Sequence, residues 1–276
     1  MEDNAKSMIF KGQGYASFIE ENLMIINKEQ QPVPFLLNPI QYKYLIEDAT
    51  GRDVILKARQ QGFSSVILAI FTADFILKDN TRSVIVADKA DNATELLDRV
   101  KFYIRAYEEK NNITLPLKYN SKYELFNEFN GSRYTIGTAE NKEIGRSKTV
   151  TNLHLSEFAY YPDAEKLFAG IMQAVVPEGK VIIETTARGF NYFKEFWGEC
   201  VNKVRPFKPL FYPASDFYTR NALDIKRREL GRLFDQEYPE TPEDSFLTSG
   251  DLYFDSKALR EYLAGCTNPL KKGIYV

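Results

Sequence analysis

Apolar and polar positions along this chain switch between two periods, short runs of strand type and longer stripes of helical type. Residues 53–58 are a short β-branched run that predicts a buried strand, closed by the turn-like Gln60-Gln61-Gly62. Over 64–78 the residues Val66, Ile67, Ala69, Ile70, Ala73, Phe75 and Ile76 recur at helical spacing, which predicts a buried helix. Residues 83–87 predict a second strand and 92–109 an amphipathic helix. The stretch 122–138 alternates about Asn130-Gly131, a hairpin turn signal. Further strands are expected at 150–155, 180–184 and 208–212, and further helices at 162–173, from 191 onward and at 222–232. Pro39 suits the first turn of a helix running through 41–48. Residues 1–34 are polar, end in Pro32 and Pro34, and read as an irregular or short-helical lead-in. There is no internal repeat and no low-complexity linker.

Strands that alternate with helices predict an α/β fold with a mainly parallel central sheet flanked by helices. Such sheets bind ligands beyond the carboxyl ends of their strands. The ends of 53–58, 150–155 and 180–184 are therefore the segments expected to converge.

Composition narrows the picture. Of 276 residues, 44% are hydrophobic and 27% charged, as in an ordinary globular chain. No apolar run reaches the ~18 residues of a membrane helix, no signal peptide opens the chain, and no membrane role is expected. Cys200 and Cys266 are too few for a disulfide framework, and a reducing cytoplasm is the default compartment. A single histidine, His154, excludes a His-rich metal site; out of phase with Leu153 and Leu155, it reads as a packed or hydrogen-bonded residue. The 36 basic and 38 acidic residues nearly cancel, so any nucleic-acid contact has to come from a local patch such as Arg220, Lys226, Arg227, Arg228 and Arg232. The 20 Phe and 17 Tyr point to a large aromatic core.

Four segments carry candidate chemistry. Lys57-Ala-Arg-Gln-Gln-Gly-Phe-Ser64 lies at a strand-to-helix junction, where backbone N–H groups and a helix N-terminus attract phosphate. Against G-x-x-x-x-G-K-[ST], Gly62 and Ser64 hold their places, Lys57 takes the first glycine slot and Phe63 replaces the lysine. Lys57 or Arg59 can supply the cation and Ser64 can ligate Mg²⁺; the same string also suits an ordinary βα turn. In Val150-Thr-Asn-Leu-His-Leu-Ser-Glu157 an apolar strand ends on one carboxylate, Glu157, with Ser156 where an acidic pair would have its first member. Val181-Ile-Ile-Glu-Thr-Thr-Ala-Arg-Gly189 ends a strand in two hydroxyls, Thr185 and Thr186, which can sense a γ-phosphate and equally suit an ordinary Thr-rich strand end. Arg146 follows Gly145 in a polar stretch, where an arginine can reach a neighbouring subunit's site; the local sequence equally suits a solvated arginine.

In this order the segments resemble the ATPase half of a bacteriophage terminase large subunit. Asn38-Pro-Ile-Gln41 resembles the family's adenine-side Q motif, and 57–64 its deviant phosphate loop with the lysine at the start. Gly145-Arg146, eleven residues before Glu157, resembles its arginine segment. Leu153–Glu157 takes the acidic-strand position, Glu184-Thr-Thr-Ala187 the coupling motif, and Phe234–Phe246 with Ser249-Gly250 a segment near the domain's end. The resemblance spans roughly 35–250.

The resemblance implies an ASCE-type P-loop NTPase that hydrolyses ATP with Mg²⁺ to move DNA. Gln41, Lys57, Arg59, Gln60, Gln61, Gly62, Phe63, Ser64 and Ser65 would bind nucleotide. Lys57, Glu157 and Arg146 would be catalytic, with Arg146 acting in trans. Thr185 and Thr186 would couple, and Ser64 and Ser156 would serve Mg²⁺, partly through water. The implied partners are double-stranded DNA, the portal protein of a procapsid, a small terminase subunit and further copies in a ring, a pentamer. The implied location is the host cytoplasm at the portal vertex, without retention in the mature virion. Residues 251–276 would lead toward a C-terminal nuclease domain, and no nuclease activity is expected of this chain. Two other readings stand beside it: a helicase-like DNA-dependent ATPase, and a nucleotide-binding ring subunit that does not hydrolyse. The missing loop lysine and strand aspartate favour the latter, while Glu157 and Arg146 oppose it.

Overall fold

A computed structural model describes residues 12–141 and 149–247, with Ala258, Tyr262, Gly265 and Cys266 beyond them. The described residues begin with helix α1 (Gly12–Asn22) and the hairpin β1 (Met24–Ile26) and β2 (Pro32–Pro34). Helix α2 (Pro39–Lys43) starts at Asn38, whose side chain accepts the Gln41 N–H while Gln41 Oε1 accepts the Asn38 N–H. A π-helical turn, Tyr44–Asp48, leads into β3 (Arg52–Lys57), and α3 (Phe63–Leu77) follows. Then come β4 (Arg82–Ala87), α4 (Ala90–Asn111), β5 (Leu117–Asn120), β6 (Glu124–Asn127), β7 (Arg133–Thr138) and β8 (Val150–Ser156). The remainder is α5 (Ala164–Met172), β9 (Val175–Thr185), α6 (Tyr192–Val201), β10 (Lys208–Tyr212), α7 (Arg220–Leu230), α8 (Phe234–Glu237) and α9 (Pro242–Leu247).

Among the described residues, eight strands form one sheet in the order β10-β3-β9-β8-β4-β7-β6-β5. The six from β10 to β7 are parallel, and β6 and β5 add antiparallel at one edge. The expected mainly parallel α/β sheet is what the chain forms.

Strand periodicity sorts the core into two layers. Ile55, Ile85 and Ile182 point to one face with α1, α3 and α4, in a layer that holds Phe63, Phe71, Phe75 and Tyr103. Their neighbours Val54, Leu56, Val84, Val86, Val181 and Ile183 point to the other face with α5 and α6, packed on Phe158, Phe168, Phe193 and Phe196. Both faces are covered, so the central strands read as unbroken apolar runs.

Residues 12–34, expected to be a lead-in, share this core: Tyr15, Ala16, Phe18 and Ile19 of α1 are buried with α3 and α4. Strand β9 also starts five residues earlier than expected, at Val175. Of the basic stretch, Arg220, Lys226, Arg227 and Arg228 lie on α7, which buries no residue, and Arg232 in the 3-10 turn Gly231–Leu233 that follows. Among the described residues no helix is long and apolar enough to cross a membrane.

Candidate functional site

One face of three adjacent strands builds the site. Lys57 lies two residues beyond Ile55 on β3, hence on the same face. Ile55 pairs with Glu184 of β9, and Glu184 pairs with Ser156 of β8. Lys57, Glu184, Ser156 and His154 therefore point together toward α3. The three strand ends singled out from the sequence do meet.

Lys57 Nζ lies 3.1 Å from Glu184 Oε2 and 3.3 Å from Glu157 Oε1. Burial alone would lower the Lys57 pKa, but the two carboxylates overcome it and hold the ammonium above the ordinary lysine range. Glu184 is fully buried. Its Oε1 accepts hydrogen bonds of 2.8 Å from both the Ser64 and the Ser156 hydroxyls, and His154 Nε2 lies 3.4 Å away. Burial would raise this carboxyl, yet the Lys57 charge, with His154 and Ser156, holds it well below the usual carboxylate range. His154, edge-on to Phe71, is a packed residue that also faces the site.

Glu157 closes β8 in a left-handed conformation, φ 55°, which turns its carboxylate across the strand ends. Its N–H is anchored on the Glu184 carbonyl, and its Oε2 faces the Thr186 N–H at 3.4 Å and the Thr185 hydroxyl at 3.5 Å. The side chain is 34% open to water. The surrounding protein still raises its pKa, mainly by burial and further by the Glu184 charge, against Lys57 and the Thr186 N–H. Thr185 also accepts the Ala159 N–H, and the Thr186 hydroxyl meets Tyr160 OH at 3.2 Å, so both threonines tie β9 to the turn after Glu157.

The loop between Lys57 and α3 is held from outside. Gln60 has φ 56° and Gly62 φ 83°, and no side chain caps the N-terminus of α3. Gln41 Nε2 donates to the Gly62 carbonyl and Asn38 Nδ2 to that of Gln61. With both amide atoms engaged and its side chain buried, Gln41 supports the loop. Gln61 is buried, donates to the Pro213 carbonyl, and leaves its Oε1 without a partner. Phe63 fills the usual lysine slot and points into the core between Tyr44 and Tyr212, so it offers the site only backbone. The Ser65 hydroxyl is taken by Arg99. Arg59 turns away: its guanidinium pairs with Glu237, its N–H meets the Glu237 carbonyl, and its own carbonyl accepts Tyr218 OH. Of the two cations the sequence offered, Lys57 faces the carboxylates of the site and Arg59 pairs with Glu237. Arg146 lies outside the described residues.

Glu184 is the site residue that sequence reasoning missed. Its signal was a carboxylate ending an apolar strand, but its importance lies in the register that sets it beside Ser156. Ser64 and Glu184 offer hydroxyl and carboxylate oxygens of the kind that Mg²⁺ takes alongside phosphate and water, with Ser156 bonded to Glu184, so the residues fit that ion.

Gly62→Ala is expected to break the loop, because a Cβ at φ 83° would lie 2.6 Å from Gln41 Nε2. The expected cost is about 1–3 kcal/mol with weakened nucleotide binding, read by denaturant unfolding and nucleotide titration. A cleft of about 480 Å³ also opens at the opposite strand ends, lined by Tyr15, Thr50, Asp53 and Lys180. There Asp53 is bonded to Thr50 and Tyr44, and Lys180 is paired with Asp74, so their charges are already answered.

No protein-family model matches the sequence. Solved structures do. The large-terminase ATPase domain of Thermus phage P74-26 matches with TM-score 0.59 at 18% identity, over 73% of this chain and 92% of that one. The HK97 bacteriophage large terminase matches with TM-score 0.61 at 18% identity, over 92% of this chain and 51% of that one. A large terminase from a thermophilic bacteriophage, in complex with ATP-γ-S, matches with TM-score 0.54 at 10% identity, over 71% of this chain and 50% of that one. This chain spans about half the length of the latter two proteins. It has the fold of phage large-terminase ATPase domains, as its motifs implied.

Proposed function

We propose that this chain is the ATPase motor domain of a viral terminase large subunit, which hydrolyses ATP to drive double-stranded DNA into a procapsid. The observation that carries the reading is the meeting of Lys57, Ser64 and Glu157 at the uncapped start of α3. A thermophilic-phage terminase of this fold binds ATP-γ-S, which supports placing ATP here.

The loop N–H groups and the positive end of α3 receive the phosphates. Lys57 exchanges its carboxylates for phosphate oxygens. Ser64, with Glu184 and Ser156 behind it, would hold Mg²⁺, which when bound neutralises phosphate charge. Glu157 orients a water and accepts its proton as the water oxygen bonds to the γ-phosphorus and the bond to ADP breaks. Thr185 and Thr186, bonded around Glu157, report the change to the segment that follows. Arg146 from the next subunit would neutralise transition-state charge in trans.

The same reading proposes a ring of copies, a pentamer, at the portal vertex in the host cytoplasm, with a small terminase subunit as partner and duplex DNA gripped through its phosphates. The motor domain proposed for 35–250 takes in residues 12–34 as well, whose helix α1 shares its core, with 251–276 leading toward a nuclease domain.

The alternative of a binding subunit that does not hydrolyse is favoured by Phe63 and Ser156. It leaves unexplained the carboxylate of Glu157 beside Lys57 at the strand ends, which binding alone does not need. The deciding experiment is steady-state ATP hydrolysis with Mg²⁺ across a range of protein concentration, with and without procapsids and linear DNA. Turnover per chain is expected to rise with concentration. A flat, non-zero specific activity would remove the trans role of Arg146, and no hydrolysis in any condition would leave the binding subunit.

A further inference from the structure

Strand β8 ends on Ser156 where an acidic pair would begin, yet the site has not lost that charge. A carboxylate stands in the same place, brought from the neighbouring strand. Ser156 and Glu184 are register partners, and Ser156 Oγ donates to Glu184 Oε1 at 2.8 Å. The same oxygen accepts the Ser64 hydroxyl at 2.8 Å. Glu184 Oε2 faces Lys57 Nζ. One side chain, fully buried, thus touches the loop serine, the loop lysine and the deficient position of the acidic strand.

We propose that Glu184 is the positioning residue that replaces the missing acid of β8, moved one strand over, and that it orients the Ser64 hydroxyl and its Mg²⁺ for nucleotide. This rests on the reading of the site as an Mg²⁺–nucleotide site. The chemistry follows from charge and position. The Ser156 hydroxyl carries no charge and is already donated to Glu184, so it steadies the carboxylate reaching in from β9. Strand β9 lies between β3 and β8 in the sheet, so a carboxylate on it stands beside both the loop strand and the deficient acidic strand. Ser156 then serves as a hydrogen-bond donor to Glu184 and not as a ligand in its own right. Carboxylates that orient a metal's ligands commonly set metal affinity as strongly as the ligands do.

The test is the affinity for a fluorescent ADP analogue, titrated with Mg²⁺ from an EDTA-treated start, with Mn²⁺ paramagnetic resonance as a second readout of the ion itself. Wild type is expected to bind the analogue more tightly as Mg²⁺ rises. Whatever its affinity without the ion, Glu184→Gln is expected to need about 10–100-fold more Mg²⁺ for the same relative tightening. Ser156→Asp/Glu184→Ser returns the acid to β8 and is expected to recover the response of wild type to Mg²⁺ and its Mn²⁺ signal, which a merely structural role would not allow. A response of wild type in Glu184→Gln, or no recovery in a folded double variant, overturns the proposal while the nucleotide site stands. Should Glu184→Gln not fold, the double variant decides alone. If wild type binds no nucleotide with or without Mg²⁺, the site reading falls and this proposal with it.

Discussion

Replacing Glu157 by alanine is expected to lower kcat for ATP hydrolysis by about 10²–10⁴-fold while ATP still binds. The carboxylate sits where β8 ends, turned by a left-handed backbone and steered by the Thr186 N–H, with a third of its side chain open to water. It is placed to hold a water and not to grip phosphate, so its loss should fall on turnover and leave affinity. The pH dependence carries a sign. Burial first, then the Glu184 charge, raises the Glu157 carboxyl above its ordinary 4.5, against the pull of Lys57. The catalytic form is the carboxylate, so kcat falls as pH drops through that raised value, and the acid limb lies above 4.5. Phosphate that draws Lys57 away from Glu157 moves the limb higher still. Glu184, held below its ordinary value, would give a limb below 4.5 instead. A kcat–pH profile with its acid limb under 4.5, or an alanine variant that turns over like wild type, would take the base role from Glu157.

Much of the frame that positions this site is legible along the chain because buried strands and buried helices have different apolar periods. The runs at 53–58, 83–87 and 150–155 become β3, β4 and β8 within a residue or two, and the stripe at 64–78 becomes α3. What escaped has physical reasons. Strand β5 has one half-buried residue and three exposed ones, so no apolar run marks it. The start of β9 contains Pro177 and Gly179, which read as loop, although the segment pairs back to Val150. Helix α1 has a thin apolar stripe, and its place in the core depends on partners, α3 and α4, that lie far along the chain. The site divides in the same way. Lys57, Ser64 and Glu157 are visible because each sits at a strand or helix end. Glu184 acquires its meaning only from the pairing of β9 with β8. Arg59 has the right charge near the right place, but Glu237, nearly two hundred residues later, claims it.

Lys57→Met is expected to abolish hydrolysis and to destabilise the chain by about 3–5 kcal/mol at neutral pH. The ammonium is 6% exposed and the Glu184 carboxylate not at all, so methionine leaves a buried negative charge without its counter-ion. The two shifts set the pH window. Glu184 is depressed below 4.5, so its contribution to stability is present above 4.5 and lost as pH falls toward its lowered value. Lys57 is raised above 10.5, so its contribution is complete below 10.5 and lost as pH rises beyond it. Between those limits wild type holds the full benefit of the pair. In the variant, burial lifts the Glu184 carboxyl instead, and the group protonates as pH falls. The stability gap between wild type and variant should therefore narrow from pH 7.5 toward pH 5, as measured by urea unfolding. Adding Glu184→Gln to Lys57→Met removes the stranded charge and should recover a large part of the loss, a non-additivity that marks direct coupling. Activity should stay absent in the double variant, since the phosphate cation is still missing. Lys57→Arg is expected not to restore it, because a planar guanidinium does not fit a pocket built around a compact ammonium. A loss under about 1 kcal/mol, the scale of a surface pair, together with additive effects in the double variant, would show that Lys57 does not hold these carboxylates together.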